Sequence, residues 1–260
     1  MKALRIFICI AFAAMTVFFV YVKITTRKDT TPPVITCSQE TLNISVKNTE
    51  NDLLKYVTAY DEKDGDLTSQ IIIENSSPYV TDGKCDMTFV VADYDNNVGR
   101  LTVPVVYTDY YAPRFIIKKP LVVPIRTTDF DFSDYIEVDD CFDGNSLSNS
   151  IVTYSDLNVI TAGSYSATLK VTNSRFDSSE ISVNITVLTS SEVNTIPLTA
   201  YSVYCKLGDK VDFNSYIPDG IEDVTVDSSK VDLSHTGVYE AYYSAEGYAT
   251  TPFVVICEEG

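Results

Sequence analysis

The sequence predicts an all-β protein built from tandem β-sandwich domains that follow an N-terminal hydrophobic helix. After Lys28, short segments of alternating apolar and polar residues are broken by Gly, Asn, Asp and Pro at intervals of about ten residues, a pattern typical of a sandwich. One of these segments recurs along the chain at domain-like spacing. No stretch after Lys28 has the long, capped apolar period that predicts a helix.

The N-terminal segment from Ile6 to Val22 is an apolar run just long enough to cross the hydrocarbon core of a membrane. Basic residues flank it on both sides. A cleaved signal peptide usually has a shorter run followed by a small-x-small cleavage site, and no such site follows Val22. We therefore expect residues 1–28 to form an uncleaved signal anchor with one transmembrane helix. A cleaved signal is the alternative.

The cysteines indicate the compartment. The chain has 6 cysteines and 1 histidine. No cysteine belongs to a CxxC pair, and with one histidine a zinc cluster is not expected. Disulfide bonds outside the cytoplasm are the better interpretation. We expect a single-pass protein of the cell membrane whose bulk, residues 29–260, is extracytoplasmic and exposed at the cell surface.

The charge excludes one class of partner. The formal net charge is -17 and the pI is about 4.3. Affinity for nucleic acid depends largely on Lys and Arg side chains that neutralise phosphates, so no nucleic-acid partner is expected. Anionic lipid surfaces are disfavoured for the same reason.

The recurring segment reads GKCDMTFVVAD from Gly83, GSYSATLKVTN from Gly163 and GVYEAYYSAEG from Gly237. The second, fourth, sixth and eighth residues after each glycine are predicted to face the core, because side chains of a strand alternate between its faces. These residues are Cys85, Met87, Phe89 and Val91, then Tyr165, Ala167, Leu169 and Val171, then Tyr239, Ala241, Tyr243 and Ala245. Tyr165 and Tyr239 stand where Ig-like sandwiches have a tyrosine corner.

The sequence also resembles a family, the bacterial Ig-like repeat of Gram-positive surface proteins, which is the Ig-like domain type of pesticidal crystal proteins. The matching motifs are Asp29 to Pro33, Asp61 to Ile71 and Asp93 to Asn97 in the first copy, and Asp109 to Pro113, Asp140 to Asn145 and Thr172-Asn173 in the second. The third copy keeps little beyond Gly237 and Tyr239. The resemblance implies Ig-like domains at residues 29–108, 109–190 and 191–260, the last one divergent.

An Ig-like strand order implies two disulfide bonds. Cys37 would end the first strand near the start of strand F, within reach of Cys85. Cys205 and Cys257 would lie on two strands that run side by side. We predict the pairs Cys37–Cys85 and Cys205–Cys257, which leaves Cys141 unpaired. Each bond stabilises such a small domain by about 2 to 4 kcal/mol.

The acidic stretch DEKDGD, from Asp61 to Asp66, does not fit a catalytic or EF-hand pattern. With Asp61 as the first EF-hand position, Lys63, Gly65 and Ile72 occupy positions that require oxygen ligands. A solvated turn also lacks the two separated carboxylates of a glycosidase. The single histidine, His235, lies in a predicted turn. We find no Ser-His-Asp arrangement, so no enzymatic activity and no catalytic residue are predicted.

Two interpretations of DEKDGD remain open. Asp-Gly between apolar segments is a strong turn signal. In an Ig-like sandwich the incoming chain and the loops after the second and the penultimate strand lie at one end, and oxygen ligands gathered there suit calcium. The residues of this candidate calcium site are Asp29, Asp61, Asp64, Asp66 and Asp93, with Asp95 beside them. The sequence predicts no cofactor with certainty, and calcium is the candidate.

The predicted function follows from this architecture. We expect a membrane-anchored Ig-like repeat protein that serves in cell adhesion or as a surface spacer and has no catalytic activity. The alternative is an extracellular ligand-binding or carbohydrate-binding module, and whether it depends on calcium stays open. The expected partners are the membrane, through the N-terminal helix, and an unknown extracellular protein or glycan.

Overall fold

A computed structural model describes residues 2–25, 29–74, 80–145, 151–190 and 193–259. β-strands arranged in several sheets are the main regular structure of these residues, which confirms the predicted all-β class. The strands are β1 Val34–Cys37, β2 Leu42–Ile44, β3 Val57–Asp61, β4 Gly65–Asp66, β5 Ile72–Glu74, β6 Lys84–Ala92, β7 Val98–Tyr107, β8 Arg114–Ile117, β9 Val122–Pro124, β10 Ile136–Asp139, β11 Val152–Ser155, β12 Gly163–Thr172, β13 Ser178–Leu188, β14 Ser202–Lys206, β15 Thr225–Asp227, β16 Gly237–Ser244 and β17 Thr251–Glu258.

Two α-helices accompany the strands. Helix α1 spans Lys2–Thr25 and helix α2 spans Glu50–Leu54. In the described parts of the chain, neither helix combines the length and the apolar character needed to cross a membrane. The signal anchor predicted for residues 1–28 gains no support from this finding and stays a prediction.

The chain divides into two compact units. The first contains the described residues of Met1–Asn43, Lys47–Ser77 and Asp86–Val105, and the second contains those of Ile44–Val46, Pro78–Cys85 and Val106–Gly260. The strands of residues 109–190 and those of residues 191–260 therefore belong to the same unit. The three domain boundaries given above stay predictions.

Strands of residues 29–108 form two sheets, with the orders β1-β3-β4 and β2-β7-β6-β5. Strand β3 alternates buried and exposed residues, so that Val57, Ala59 and Asp61 face inward while Thr58 and Tyr60 face solvent. The inward faces of the strands bury large apolar side chains such as Leu42 and Phe89. This alternation is the reason why Asp61, at the end of β3, turns its carboxylate inward.

The second unit contains three sheets among its described residues, with the orders β10-β8, β11-β12-β13-β9 and β14-β17-β16-β15. One core cluster lies around Phe115, Ile136 and Leu169, and it also takes in Val254 and Ile256 from β17. A second cluster lies around Tyr243 and Phe253, among others. Strand β17 contributes to both clusters, since nearly all of its residues are buried.

The recurring strand has the predicted register in all three copies, as β6, β12 and β16. The fourth, sixth and eighth residues after the first two glycines are buried, and Ala241 and Tyr243 are buried in the third. The second residue after each glycine is half-buried, and so is Ala245. The hydroxyls of Tyr165 and Tyr239 donate to the carbonyls of the residues four positions earlier, at 2.8 Å and 3.0 Å. Both predicted tyrosine corners are confirmed.

Candidate functional site

The loop after β3 is a tight hairpin. Asp61 pairs with Gly65 in the short strand pair β3–β4, and Gly65 has a φ of 77°, a left-handed conformation that glycine adopts without strain. The Asp61 carboxylate accepts the backbone N–H groups of Lys63 at 2.8 Å and Asp64 at 3.0 Å through Oδ1. DEKDGD is therefore a turn whose backbone amides are held by the buried carboxylate of Asp61.

The loop after β6 has the same organisation around Asp93. Its Oδ1 accepts the N–H groups of Asp95 at 2.9 Å and Asn97 at 2.7 Å. The side-chain amide of Asn97 donates to the second oxygen, Oδ2, at 2.6 Å. Sequence reasoning assigned no role to Asn97, although this residue closes the motif from Asp93 to Asn97.

The incoming chain reaches both loops at Asp29. The Asn97 amide donates to the Asp29 carbonyl at 3.1 Å, and the Asp29 N–H donates to Asp95 Oδ2 at 3.1 Å. The Asp29 carboxylate accepts the N–H and the hydroxyl of Thr31. These hydrogen bonds favour the charged form and lower the pKa of Asp29.

The carboxylates of Asp29, Asp61 and Asp93 meet at this end of the first unit. One oxygen from each lies within 4.8 Å of the other two. A calcium ion binds oxygens at about 2.3 to 2.6 Å, so a single ion between these three oxygens can contact all of them. Asp61 and Asp93 are only 3% and 5% exposed, and like charges this close repel each other.

The other predicted ligands engage different groups. Asp64 Oδ2 accepts the Tyr94 N–H at 3.0 Å, and Asp66 Oδ1 accepts the Thr68 N–H at 2.9 Å. Asp95 forms an ion pair with Lys63, and this pairing lowers the pKa of Asp95. The structure thus brings together three of the five predicted ligands, and calcium binding itself stays a prediction.

An open groove of about 700 Å³ lies beside this cluster, on the outer face of β1, β3 and β4. Asp61 belongs to both the cluster and the groove wall. The groove is lined by Thr31, Pro32, Val34, Thr36, Thr58, Ala59, Tyr60, Asp61, Glu62, Asp66 and Thr68. Val34 and Tyr60 are cross-strand partners and are 65% and 61% exposed, so the groove has an apolar floor open to solvent.

Residues 109–190 repeat both loops, with an asparagine in place of one of the aspartates. Asp140 Oδ1 accepts the N–H groups of residues 142 and 143, as Asp61 does with residues 63 and 64. The residue equivalent to Asp93 is Asn173, and its side-chain amide donates to Asp140 Oδ2 at 3.1 Å. The residue equivalent to Asp29 is Asp109, which binds Ser45 and Val46.

The turn around His235 has the residue types of a hydrolase triad but not the geometry. Ser234 Oγ lies 3.0 Å from His235 Nδ1, and Asp232 Oδ2 lies 2.9 Å from the same nitrogen. A triad needs the nucleophile at Nε2 and the carboxylate at Nδ1. The His235 side chain is also 76% exposed, so these contacts stabilise a surface turn.

The predicted disulfide bonds stay predictions. Cys205 and Cys257 are direct partners in the parallel pair β14–β17, and the strand spacing of about 4.8 Å suits a disulfide. Both are thiols in the structure. Burial and the neighbouring Cys257 raise the pKa of Cys205 to about 11. The Cys141 thiol donates to the Tyr111 carbonyl.

Known protein families give no match to the sequence, and no curated protein matches it. Solved structures give distant likenesses. A structure of the CBM51-2 and INT domains of Clostridium perfringens ZmpB with GlcNAc is 18% identical, with a TM-score of 0.25 over 53% of this chain and 29% of that one. Drosophila N-cadherin EC1-4 is 10% identical, with a TM-score of 0.26 over 90% of this chain and 68% of that one.

The human Desmocollin-1 ectodomain is 8% identical, with a TM-score of 0.21 over 88% of this chain and 62% of that one. The chain spans less than half of the two Clostridium chains that contain the CBM51-2 and INT domains, 29% and 41%. TM-scores this low carry no argument about function.

Proposed function

We propose that this chain is a non-catalytic, extracytoplasmic Ig-like repeat protein that serves in adhesion or as a surface spacer, attached to the membrane through residues 1–28. The observation that carries the proposal is the firm connection between residues 109–190 and 191–260. A spacer or an adhesin transmits position only if its successive modules do not bend freely against each other.

Arg114 is the centre of this connection. Its guanidinium lies 4.9 Å from the centre of the Tyr111 ring and 5.0 Å from that of Tyr204. It also forms an ion pair with Glu258 at 2.9 Å. Cation–π contacts and an ion pair on the same guanidinium fix its position, and Val254 and others extend the contact as shared core.

The absence of catalysis belongs to the same proposal. The His235 turn presents one nitrogen to two partners, and the hairpin of Asp61 uses its carboxylate to hold backbone amides. Each of these groups is occupied by a structural hydrogen bond, which supports a protein without turnover.

Calcium is the proposed cofactor, bound by Asp29, Asp61 and Asp93. The ion would neutralise the buried carboxylates and join the incoming chain to both loops, because each ligand comes from a different segment. A rigid first unit would follow, which suits a spacer or an adhesin that works in a calcium-containing medium.

A ligand-binding or carbohydrate-binding module is the second candidate function. The groove beside the cluster favours it, since it combines an exposed aromatic ring at Tyr60 with hydroxyls and carboxylates. Ligand sites commonly combine an apolar surface with a few polar groups in this way.

Surface labelling of intact cells tests the location, and bead binding tests adhesion. Cells that produce the full chain are treated with a membrane-impermeant lysine reagent, and the labelled lysines are mapped. We expect label at Lys118 and Lys230, which lie on the predicted extracytoplasmic part. Beads coated with the full chain should then bind cells saturably if the protein is an adhesin and should not bind if it is a spacer. Failure to label either lysine on intact cells, with labelling after lysis, would contradict both roles.

A further inference from the structure

Strand β1 is an edge strand, and its register identifies the amides that face outward. The Ser38 N–H donates to the Tyr56 carbonyl at 2.8 Å, in continuation of the β1–β3 pairing. Hydrogen-bonded pairs alternate with non-hydrogen-bonded pairs along an antiparallel ladder. The N–H groups of Ile35 and Cys37 therefore point away from β3.

Strand β8 repeats this register against β10, and its outward amides are covered. The Phe115 N–H donates to the Tyr204 hydroxyl at 2.7 Å, and the Ile117 N–H donates to the Ser202 hydroxyl at 3.0 Å. Both acceptors come from β14. The chain itself thus covers the edge of β8 with two side-chain hydroxyls of β14.

The corresponding edge of β1 is open within the described residues. No acceptor there receives the N–H of Ile35 or Cys37. Unpaired edge amides are a template for an added strand, through which many proteins recognise extended peptides. The groove face lies directly beside this edge, since Val34 and Thr36 of β1 line it.

The charges beside the two edges differ in sign. Arg114 begins β8 and pairs with Glu258 of β17, the strand that pairs with the covering strand β14. The equivalent residue of β1 is Val34, and the acidic residues Glu62 and Asp66 line the groove next to it, with no basic side chain in its described lining. A segment that covers β1 should therefore carry positive charge.

We propose that the β1 edge and the adjoining groove bind an extended, basic segment of a partner protein as an added strand. Its backbone carbonyls accept the Ile35 and Cys37 amides, and its lysine or arginine side chains pair with Glu62 and Asp66. Alternate apolar side chains of the segment cover Val34 and Tyr60. A second copy of this acidic chain is disfavoured by like charge, and a glycan does not offer a row of carbonyls in strand register.

The inference rests on the proposed role in adhesion and names the class of its partner. The test uses the full chain in detergent micelles and an octapeptide of alternating lysine and valine, capped at both ends. Two matched peptides serve as controls, one with glutamate for lysine and one with every second backbone nitrogen methylated. NMR follows the amide shifts and the hydrogen exchange of Ile35 and Cys37 during titration.

We expect the lysine peptide to bind saturably and to slow hydrogen exchange at both amides. The glutamate peptide should bind about tenfold more weakly or not at all, because complementary charge sets the choice of partner. The methylated peptide should lose binding while keeping its charge. The double variant Glu62→Lys, Asp66→Lys should bind the lysine peptide more weakly. The matched surface variant Glu180→Lys, Glu246→Lys should bind it as the wild type does.

Several results would overturn the inference. The site is rejected if neither peptide binds, or if the lysine and glutamate peptides bind equally well. Binding that does not protect the Ile35 and Cys37 amides also rejects it, and so does protection of these amides by chitotetraose but not by the lysine peptide. Bead adhesion that persists in the Glu62→Lys, Asp66→Lys variant would keep the proposed adhesion and reject this site, so the two proposals fail separately.

Discussion

Two loop pairs, one within residues 61–97 and one within residues 140–177, share the same backbone hydrogen bonds. They differ in which residue next to the buried aspartate carries a charge. Asp61 and Asp140 both accept two amides from the residues two and three positions ahead. In the second pair the neighbouring group is the Asn173 amide, which donates to Asp140. In the first it is the Asp93 carboxylate, which cannot donate. The second pair thus has a hydrogen bond where the first has two neighbouring carboxylates, for which we predict a cation.

The exchange between the loops is reciprocal. Asp93 and Asn97 in the first pair correspond to Asn173 and Asp177 in the second, and Asp177 accepts the hydroxyl of Tyr110. Each loop therefore keeps one acid and one amide, in opposite order. The position of the acid, rather than the number of acids, separates the predicted cation site from the hydrogen-bonded turn.

The largest effect is expected from the variant Asn173→Asp. It places a second buried carboxylate against Asp140, which is 2% exposed, and removes the hydrogen bond between them. An uncompensated buried charge costs about 3 kcal/mol or more, and urea unfolding of the full chain measures the loss. The control Asn158→Asp adds the same charge at an exposed position. Equal stability of the two variants would contradict the account.

The edge strands give the next prediction. The variant Tyr204→Phe removes the acceptor of the Phe115 amide, and an unsatisfied buried amide costs about 1 to 3 kcal/mol. Hydrogen exchange at Phe115 should accelerate towards the rate at Ile35, whose outward amide is open. The control Tyr154→Phe changes an exposed tyrosine that is 66% accessible. If the exchange rate at Phe115 does not change, the Tyr204 hydroxyl does not protect this edge.

A charge-neutral exchange tests the first loop pair. The double variant Asp93→Asn, Asn97→Asp gives it the order of the second pair, so that residue 93 can donate to Asp61. In the presence of a chelator, the new hydrogen bond and the relief of repulsion at Asp61 should outweigh the lost Asn97 donation to the Asp29 carbonyl, for a net gain on the order of 1 kcal/mol, the scale of one hydrogen bond. Thermal unfolding measures the gain. A loss of stability in chelator would show that the loops are not equivalent.

The smallest effect is expected from pH. The hydrogen bonds from Thr31 lower the pKa of Asp29 in the folded chain, so the folded state binds this proton less tightly than the unfolded state. The resulting stabilisation is present above the unfolded pKa of about 4 and is lost as the pH falls through the lower folded value. The variant Thr31→Val should shift the acid limb of the stability curve towards higher pH. An unchanged acid limb would remove Thr31 from the account.

The sequence predicted those features that local patterns encode. Alternation gave the register of β6, β12 and β16, and the Gly-x-Tyr motif gave the hydroxyl contacts of Tyr165 and Tyr239. The Ig-like order also led us to place the acids of residues 29, 61 and 93 at one end. Each of these features depends on residues close together in sequence or on the order of strands.

Other features depend on contacts that produce no periodic pattern in the sequence. The capping of β8 by Ser202 and Tyr204 joins residues more than 80 positions apart through hydroxyl groups. Asp66 binds an amide of its own loop, as short polar side chains often do, whereas Asp64 binds the Tyr94 amide in the loop after β6. Distances of a few ångströms decide whether such a carboxylate binds a ligand or a nearby backbone amide.

Thermal unfolding of the full chain with millimolar calcium or with a chelator is the most direct test of the claim that Asp29, Asp61 and Asp93 form a cation site. Binding to the folded state adds about 2.7 kcal/mol at a hundredfold excess over Kd, and the first melting transition should rise by several degrees. The Asp93→Asn, Asn97→Asp variant, with the same net charge, should show no shift. Equal melting temperatures of the wild type in both buffers, or an equal shift in the variant, would contradict the account.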